Sequence, residues 1–189
     1  TVLHGAAETL TPCALELTGK NPVIVMADAD IARAARSIVC AKGLAAGQSS
    51  WAPDFVLVAR AAETDLLTAL RAEIVSQFGA HPMDSYDFPR VASPEHFERL
   101  TGMIAGENVF CGGGWNRDTL KIEPTVVSRP KPDSPLMREP VFGPVLPVLS
   151  YGSIQEAVQL MRQLPAPRAL YCFSDDEGAA RRLMRDMRF

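Results

Sequence analysis

Apolar residues fall along this chain in two rhythms. Short, nearly unbroken apolar runs at 23–26, 55–58, 109–111, 145–150 and 170–173 have the length and the β-branched or aromatic content of buried strands. Between them, apolar side chains recur at spacings of three and four, as helices require. The opening stretch 1–10 sets Leu3, Ala6, Ala7 and Leu10 on one face, and Thr11-Pro12 ends it. Residues 13–17 read as a strand, and Gly19-Lys20-Asn21-Pro22 as a turn. Asp28 or Asp30 is placed to cap a helix running to about Leu44, with Ile31, Ala35, Ile38, Val39 and Lys42 at helical spacing. An amphipathic helix spans Glu63 to Phe78 and closes on Gly79. Residues 81–89 read as a polar loop. Ser93-Pro94 opens another helix, ending by Gly106. Gly112 to Gly114 is a turn, and 120–127 is extended. Six prolines from Pro130 to Pro147 predict a winding surface loop around 134–138. Ser153 is expected to cap a helix over 154–163, and Ser174 a last, arginine-rich helix. Strands that alternate with helices imply βαβ units and a mostly parallel sheet covered on both faces.

Composition adds limits. The 189 residues suit one domain, and 47% hydrophobic with 22% charged residues is ordinary for a globular core. The net charge of -3 and the lack of a basic block argue against a nucleic-acid footprint. Cysteines 13, 40, 111 and 172 form no CxxC pair and no Cys/His cluster for a metal. They are expected to be mainly buried thiols in a reducing compartment, cytoplasmic or mitochondrial. The longest apolar run, residues 141–149, is too short to span a membrane. A chain that starts on Thr1 in helix-like sequence reads as a processed product or a piece of something longer.

The chemistry concentrates between Ala14 and Pro53. Glu16 precedes a Gly-Lys turn, and a strand and helix then lead to the small polar loop Gly47-Gln48-Ser49-Ser50. An acid beside a strand and a small polar loop after a helix are common ways to build a site on rigid elements. The phrases LELTGKNPVIV, GQSSWAPDFVLV, LKIEPTVV, SPLMREPVFGPVLPVL and RALYCFSDD, in that order, resemble the catalytic domain of the aldehyde dehydrogenase superfamily, nearest its class 3-like branch. The resemblance implies an α/β, three-layer, doubly wound and mostly parallel twisted sheet. It also implies a reaction in which a cysteine thiolate attacks an aldehyde, hydride passes to NAD or NADP, and a glutamate base helps water release the acid. Glu16 falls on the base position. Ser50, 34 residues later, falls on the nucleophile position.

Four departures from the family pattern bear on function. Ser50 stands where the family has its cysteine, and a hydroxyl needs a neighbouring base that a partly ionised thiol does not. Cys40 lies ten residues upstream, and Cys13 is on the opposite side of a strand from Glu16, so neither replaces it. Pro140 stands where the resemblance puts the ribose-binding acid, while Phe142, matching the residue beside the nicotinamide ribose, is kept. Thr18 replaces a glycine, and Trp51 is bulkier than the residue usual after the nucleophile, which suggests a filled ligand space. The family's cofactor-binding domain is not among these residues: Gly112 to Gly114 lacks the strand-GxGxxG-helix context. The expected reading is one catalytic-domain-like unit over 1–189 that binds no cofactor, does not turn over aldehydes and serves as a structural or accessory subunit. A protein partner or a homo- or hetero-oligomer would then cover its exposed apolar surface. The alternatives are a piece of an NAD(P)-dependent aldehyde dehydrogenase, or a serine-based esterase using Ser50 and Glu16. The last helix's arginines, Arg181, Arg182, Arg185 and Arg188, read either as a complement to the helix dipole or as a basic contact face.

Overall fold

The computed structural model describes residues 2–14, 19–131 and 133–187. Its centre is a six-stranded sheet in the order β3-β6-β7-β2-β1-β8, made of β1 (Pro22–Val25), β2 (Phe55–Ala59), β3 (Val109–Cys111), β6 (Thr125–Ser128), β7 (Val145–Tyr151) and β8 (Tyr171–Phe173). All neighbours run parallel except the edge pair β3–β6. A two-stranded ribbon, β4 (Trp115–Asn116) with β5 (Lys121–Ile122), stands apart. The helices are α1 (Val2–Thr9), α2 (Ile31–Gly43), α3 (Glu63–Phe78), α4 (Pro94–Ile104), α5 (Pro135–Arg138), α6 (Ile154–Arg162) and α7 (Glu177–Asp186).

Strand alternation sorts the core into two faces. Val23, Val25, Val56 and Val58 point to the side where α2 and α3 lay down Ala35, Ile38, Leu66 and Leu70. Ile24, Phe55 and Leu57 point to the other side, under Ala157 and Met161 of α6 and Leu183 of α7. Each such large apolar side chain taken out of water contributes about 1.5–3 kcal/mol. Because both sheet faces are covered, β1 and β2 are buried at every position and carry no polar alternation. A third cluster packs Phe97 and Leu100 of α4 against Leu136, Val141 and Val145.

Caps explain where the helices begin. Asp30, not Asp28, caps α2, accepting from Arg33 N at 3.0 Å. Ser93 and Ser153 cap α4 and α6 as their sequences suggest. The last helix departs from expectation: Asp176 caps it, accepting from Ala179 N at 3.0 Å. Ser174 instead donates to the Asp28 carboxylate, which also takes the Asp175 and Asp176 amides. Those bonds hold the Asp28 carboxyl below its ordinary value, that from Ser174 first.

Two further expectations are corrected. The proline-rich stretch is no surface loop. Leu136 and Met137, on one turn of helix, are buried in two different cores. The cysteines are not mainly buried: Cys13 and Cys40 are exposed, and Cys111 and Cys172 are half-buried. Cys40 sits on the outer side of α2 because Ile38, Val39 and Lys42 claim the inner one. The strand expected over 13–17 lies largely outside the described residues, and Cys13 and Ala14 are in no regular element.

Candidate functional site

Four segments meet at one end of the sheet because they enter parallel strands from the same side. They are the turn at Gly19–Asn21 before β1, the loop 47–54 before β2, the stretch 136–144 before β7, and Arg168–Ala169 before β8. Any side chains offered by these segments converge, whatever their distance in sequence.

The loop that presents Ser50 is tightly held. Its approach is strained: Ala45 and Ala46 adopt left-handed backbone (φ 52° and 50°), followed by Gly47 at φ 71°. Left-handed alanine costs about 1–2 kcal/mol per residue. Gly47 is also obligatory for space, since a Cβ there would lie 2.3 Å from Gly143 O. Gln48 then ties the loop to the chain before α4. Its amide donates to Ala45 O and Arg90 O, both at 3.0 Å, and its oxygen accepts from Ala92 N at 2.8 Å. Asn21, fully buried, uses every side-chain valence it has. It donates to Ser50 O at 2.7 Å and Ala52 O at 3.1 Å, and accepts from the Arg168 and Ala169 amides, each at 3.1 Å. Ser50 itself is half-buried, and among the described residues its hydroxyl has no hydrogen-bond partner. Trp51 next to it is 53% exposed and stacks on the Arg168 guanidinium, 4.3 Å from ring centroid to carbon. The ring is therefore held on one face by Arg168 and is not enclosed within this domain.

A buried ion pair underlies the loop. Lys20 Nζ lies 2.5 Å from Asp54 Oδ2, and it also donates to Leu136 O. Asp54 Oδ1 accepts from Val141 N at 2.8 Å. Burial pulls the Lys20 amine below its ordinary value, and the Asp54 charge opposes that pull. Lys42 of α2 is buried as well and donates to Pro53 O at 2.9 Å; burial depresses it from 10.5 to about 8.

The stretch 140–143 is clamped from the opposite side by α4. Arg99 donates to Val141 O at 2.9 Å and to Pro140 O, and pairs with Glu139 at 3.6 Å. His96 Nε2 lies 2.6 Å from Phe142 O. Phe142 is left-handed (φ 49°), and its ring covers Gly19, where a Cβ would come within 2.9 Å of Cε2.

Ser50, Pro140 and Phe142 are thus brought to one end of the sheet, while Glu16 and Thr18 lie outside the described residues. Lys20, Asn21, Gln48, Asp54 and Arg99 were not legible as site residues. Their partners are mostly backbone carbonyls and amides from distant segments, which no spacing rule reveals. The apolar neighbours of Asp54 (Phe55 to Val58) are the one signal that it would be buried and hence paired.

This arrangement defines a three-layer α/β domain with a loop-built site at the strands' N-terminal edge. Its architecture closely matches that of Staphylococcus aureus AldH in its substrate-bound state, with TM-score 0.94 and 39% identity over 100% of this chain and 42% of that one. The aldehyde dehydrogenase family profile matches residues 1–189, and the chain belongs to that family. It is 39% identical to the 4,4'-diaponeurosporen-aldehyde dehydrogenase of Staphylococcus aureus, covering all of this chain and 41% of that protein. It is 35% identical to the dimeric NADP-preferring aldehyde dehydrogenase of Rattus norvegicus, over 98% of this chain and 41% of that protein. The structure of betaine aldehyde dehydrogenase from Staphylococcus aureus in complex with NAD+ is also similar, with TM-score 0.86, 29% identity, and 98% and 39% coverage. The chain therefore spans about two fifths of the length of these relatives. Among the described residues, no helix is long and apolar enough to cross a membrane, and no group of three or more His, Cys, Asp or Glu is placed to hold a metal ion.

Proposed function

We propose that this chain is a catalytically silent aldehyde dehydrogenase domain, kept for its shape and serving as a structural or accessory part of a larger assembly. One observation carries the reading. The loop that presents position 50 is held by Asn21, Gln48 and the left-handed turn, yet the side chain it presents is a serine hydroxyl. A thiol at that position would be partly ionised near neutral pH, and a lone hydroxyl is not. Family membership, with Ser50 on the nucleophile position and Glu16 on the base position, supports the loss of thiolate chemistry.

The residues at the ribose position do not fit a nicotinamide dinucleotide. Pro140 offers no side-chain acceptor, and Arg99 already occupies its carbonyl and that of Val141. Glu139 beside it is turned to Arg99.

The test uses the full-length protein that contains this domain, assayed with aliphatic and aromatic aldehydes and NAD or NADP. No turnover above buffer is expected, and S50C alone should not restore it because Pro140 remains. Aldehyde oxidation by the wild type, lost in S50A, would overturn the proposal. Hydrolysis of 4-nitrophenyl acetate, abolished by S50A, would favour a serine esterase instead.

A further inference from the structure

The fold leaves Lys42 short of hydrogen bonds. An ammonium carries three N–H donors, and in water each of them finds an acceptor. Lys42 is buried on the inner side of α2, and among the described residues its Nζ donates to one group only, Pro53 O at 2.9 Å. The neighbouring carboxylate of Asp54 is committed elsewhere, to Lys20 Nζ and to Val141 N. Buried donors of a charged group are costly to leave unmet, and such groups are almost always paired with protein or with ordered water.

The same side chain lines an internal recess of about 20 Å³ where the ends of α2 and α3 meet the segments 124–126 and 144–146. Much of its wall is apolar, including Val39 and the edge-to-face rings of Phe78 and Phe88, whose centroids lie 5.1 Å apart. Gly43, Pro124 and Pro144 also line it and bring backbone carbonyls. Pro144 O accepts from Thr125 N at 2.8 Å, which uses one of its two lone pairs. The volume decides the size of the guest. A water needs at least about 10–15 Å³ of such space, so the recess has room for one molecule of that size and none for a substrate or cofactor. The cation decides its polarity, because cavities that stay dry are apolar throughout.

We propose that this recess is a binding site for one structural water, which accepts a hydrogen bond from Lys42 Nζ and donates to a backbone carbonyl of Gly43, Pro124 or Pro144. The water completes the hydration of the ammonium, so that Lys42 stays buried and holds Pro53 O at the base of the loop that presents Ser50. It also joins the end of α2 to the segments that enter β6 and β7. It asks nothing of the chemistry at position 50, and it stands whether or not the domain turns over an aldehyde.

The experiment is a crystal structure of the full-length protein, solved before and after the crystals are pressurised with xenon. The expected result is one ordered water about 2.7–3.2 Å from Lys42 Nζ and equally close to one of those carbonyls, with no xenon in the recess. Xenon enters dry apolar cavities, so a xenon peak there would overturn the assignment. A recess without solvent density, or an Nζ whose other donors meet protein groups, would do the same. In solution, oxygen-17 magnetic relaxation dispersion counts the waters that a protein holds long enough to tumble with it. K42M removes the cation and should lower that count by one. V39I, which adds a methyl group to the wall, should also lower it by one, and serves if K42M does not fold. A count equal to that of the wild type in either folded variant would sink the proposal.

Discussion

Replacing Lys42 by methionine should turn a pH-dependent stability into a flatter one. The amine is buried on α2, with one hydrogen bond to Pro53 O and Asp54 as the nearest opposing charge. In the unfolded chain it keeps its proton to about 10.5, and in the folded protein it gives it up near 8. Between those values the unfolded state binds more protons, so stability rises with pH across that window. At about 1.36 kcal/mol per pKa unit, the drop from 10.5 to about 8 corresponds to about 3 kcal/mol of penalty at neutral pH, relieved by pH 10.5. Methionine removes this penalty but leaves the Pro53 carbonyl without its donor, a cost of about 1–3 kcal/mol. A small cavity beside Lys42, walled by Val39, Ile74, Phe78 and Phe88, gives the thioether room. The assay is urea unfolding of both proteins at half-unit steps from pH 7 to 10.5. Other lysines and tyrosines titrate alike in the two, so the informative quantity is the difference in stability. It should move toward the wild type by about 3 kcal/mol over the window. A difference constant with pH would refute the reasoning, because it would mean that the folded protein does not depress this amine.

The Lys20–Asp54 pair gives a second check. D54L or K20M alone should cost about 3–5 kcal/mol, since each strands a buried polar group, while the K20M/D54L double variant should cost less than the sum of the single changes in a denaturation cycle. N21A should destabilise by about 2–4 kcal/mol and raise proteolytic nicking between residues 48 and 52, because four hydrogen bonds joining three segments are lost. G47A should cost about 3 kcal/mol or more, by unfolding assay, from the clash with Gly143 O. A46G should stabilise by about 1 kcal/mol by relieving a left-handed alanine.

Much of the layered fold was legible in the sequence, because period and punctuation are local properties. Runs such as Phe55 to Val58 declare strands buried on both faces. Glu63–Phe78 declares its helix from end to end. That Ser50 lies on a loop between a helix and a buried strand was legible too, since small polar residues between a helical period and an apolar run mark such a loop. What the sequence alone could not decide was which polar residues are buried and what holds them. Lys20 reads as a turn lysine and Gln48 as a loop amide. Only the shared direction of β1, β2, β7 and β8 brings their entry loops together, so that Lys20 meets Asp54 and Asn21 meets Ser50, Ala52 and Arg168. The same holds for the proline-rich stretch, where composition suggests surface and packing draws Leu136, Met137 and Val141 inside. Local sequence determines how each segment bends and which of its faces is apolar. The pairing of buried polar groups is a long-range property, set when desolvation forces each to find a partner on a segment that the sheet has brought within reach.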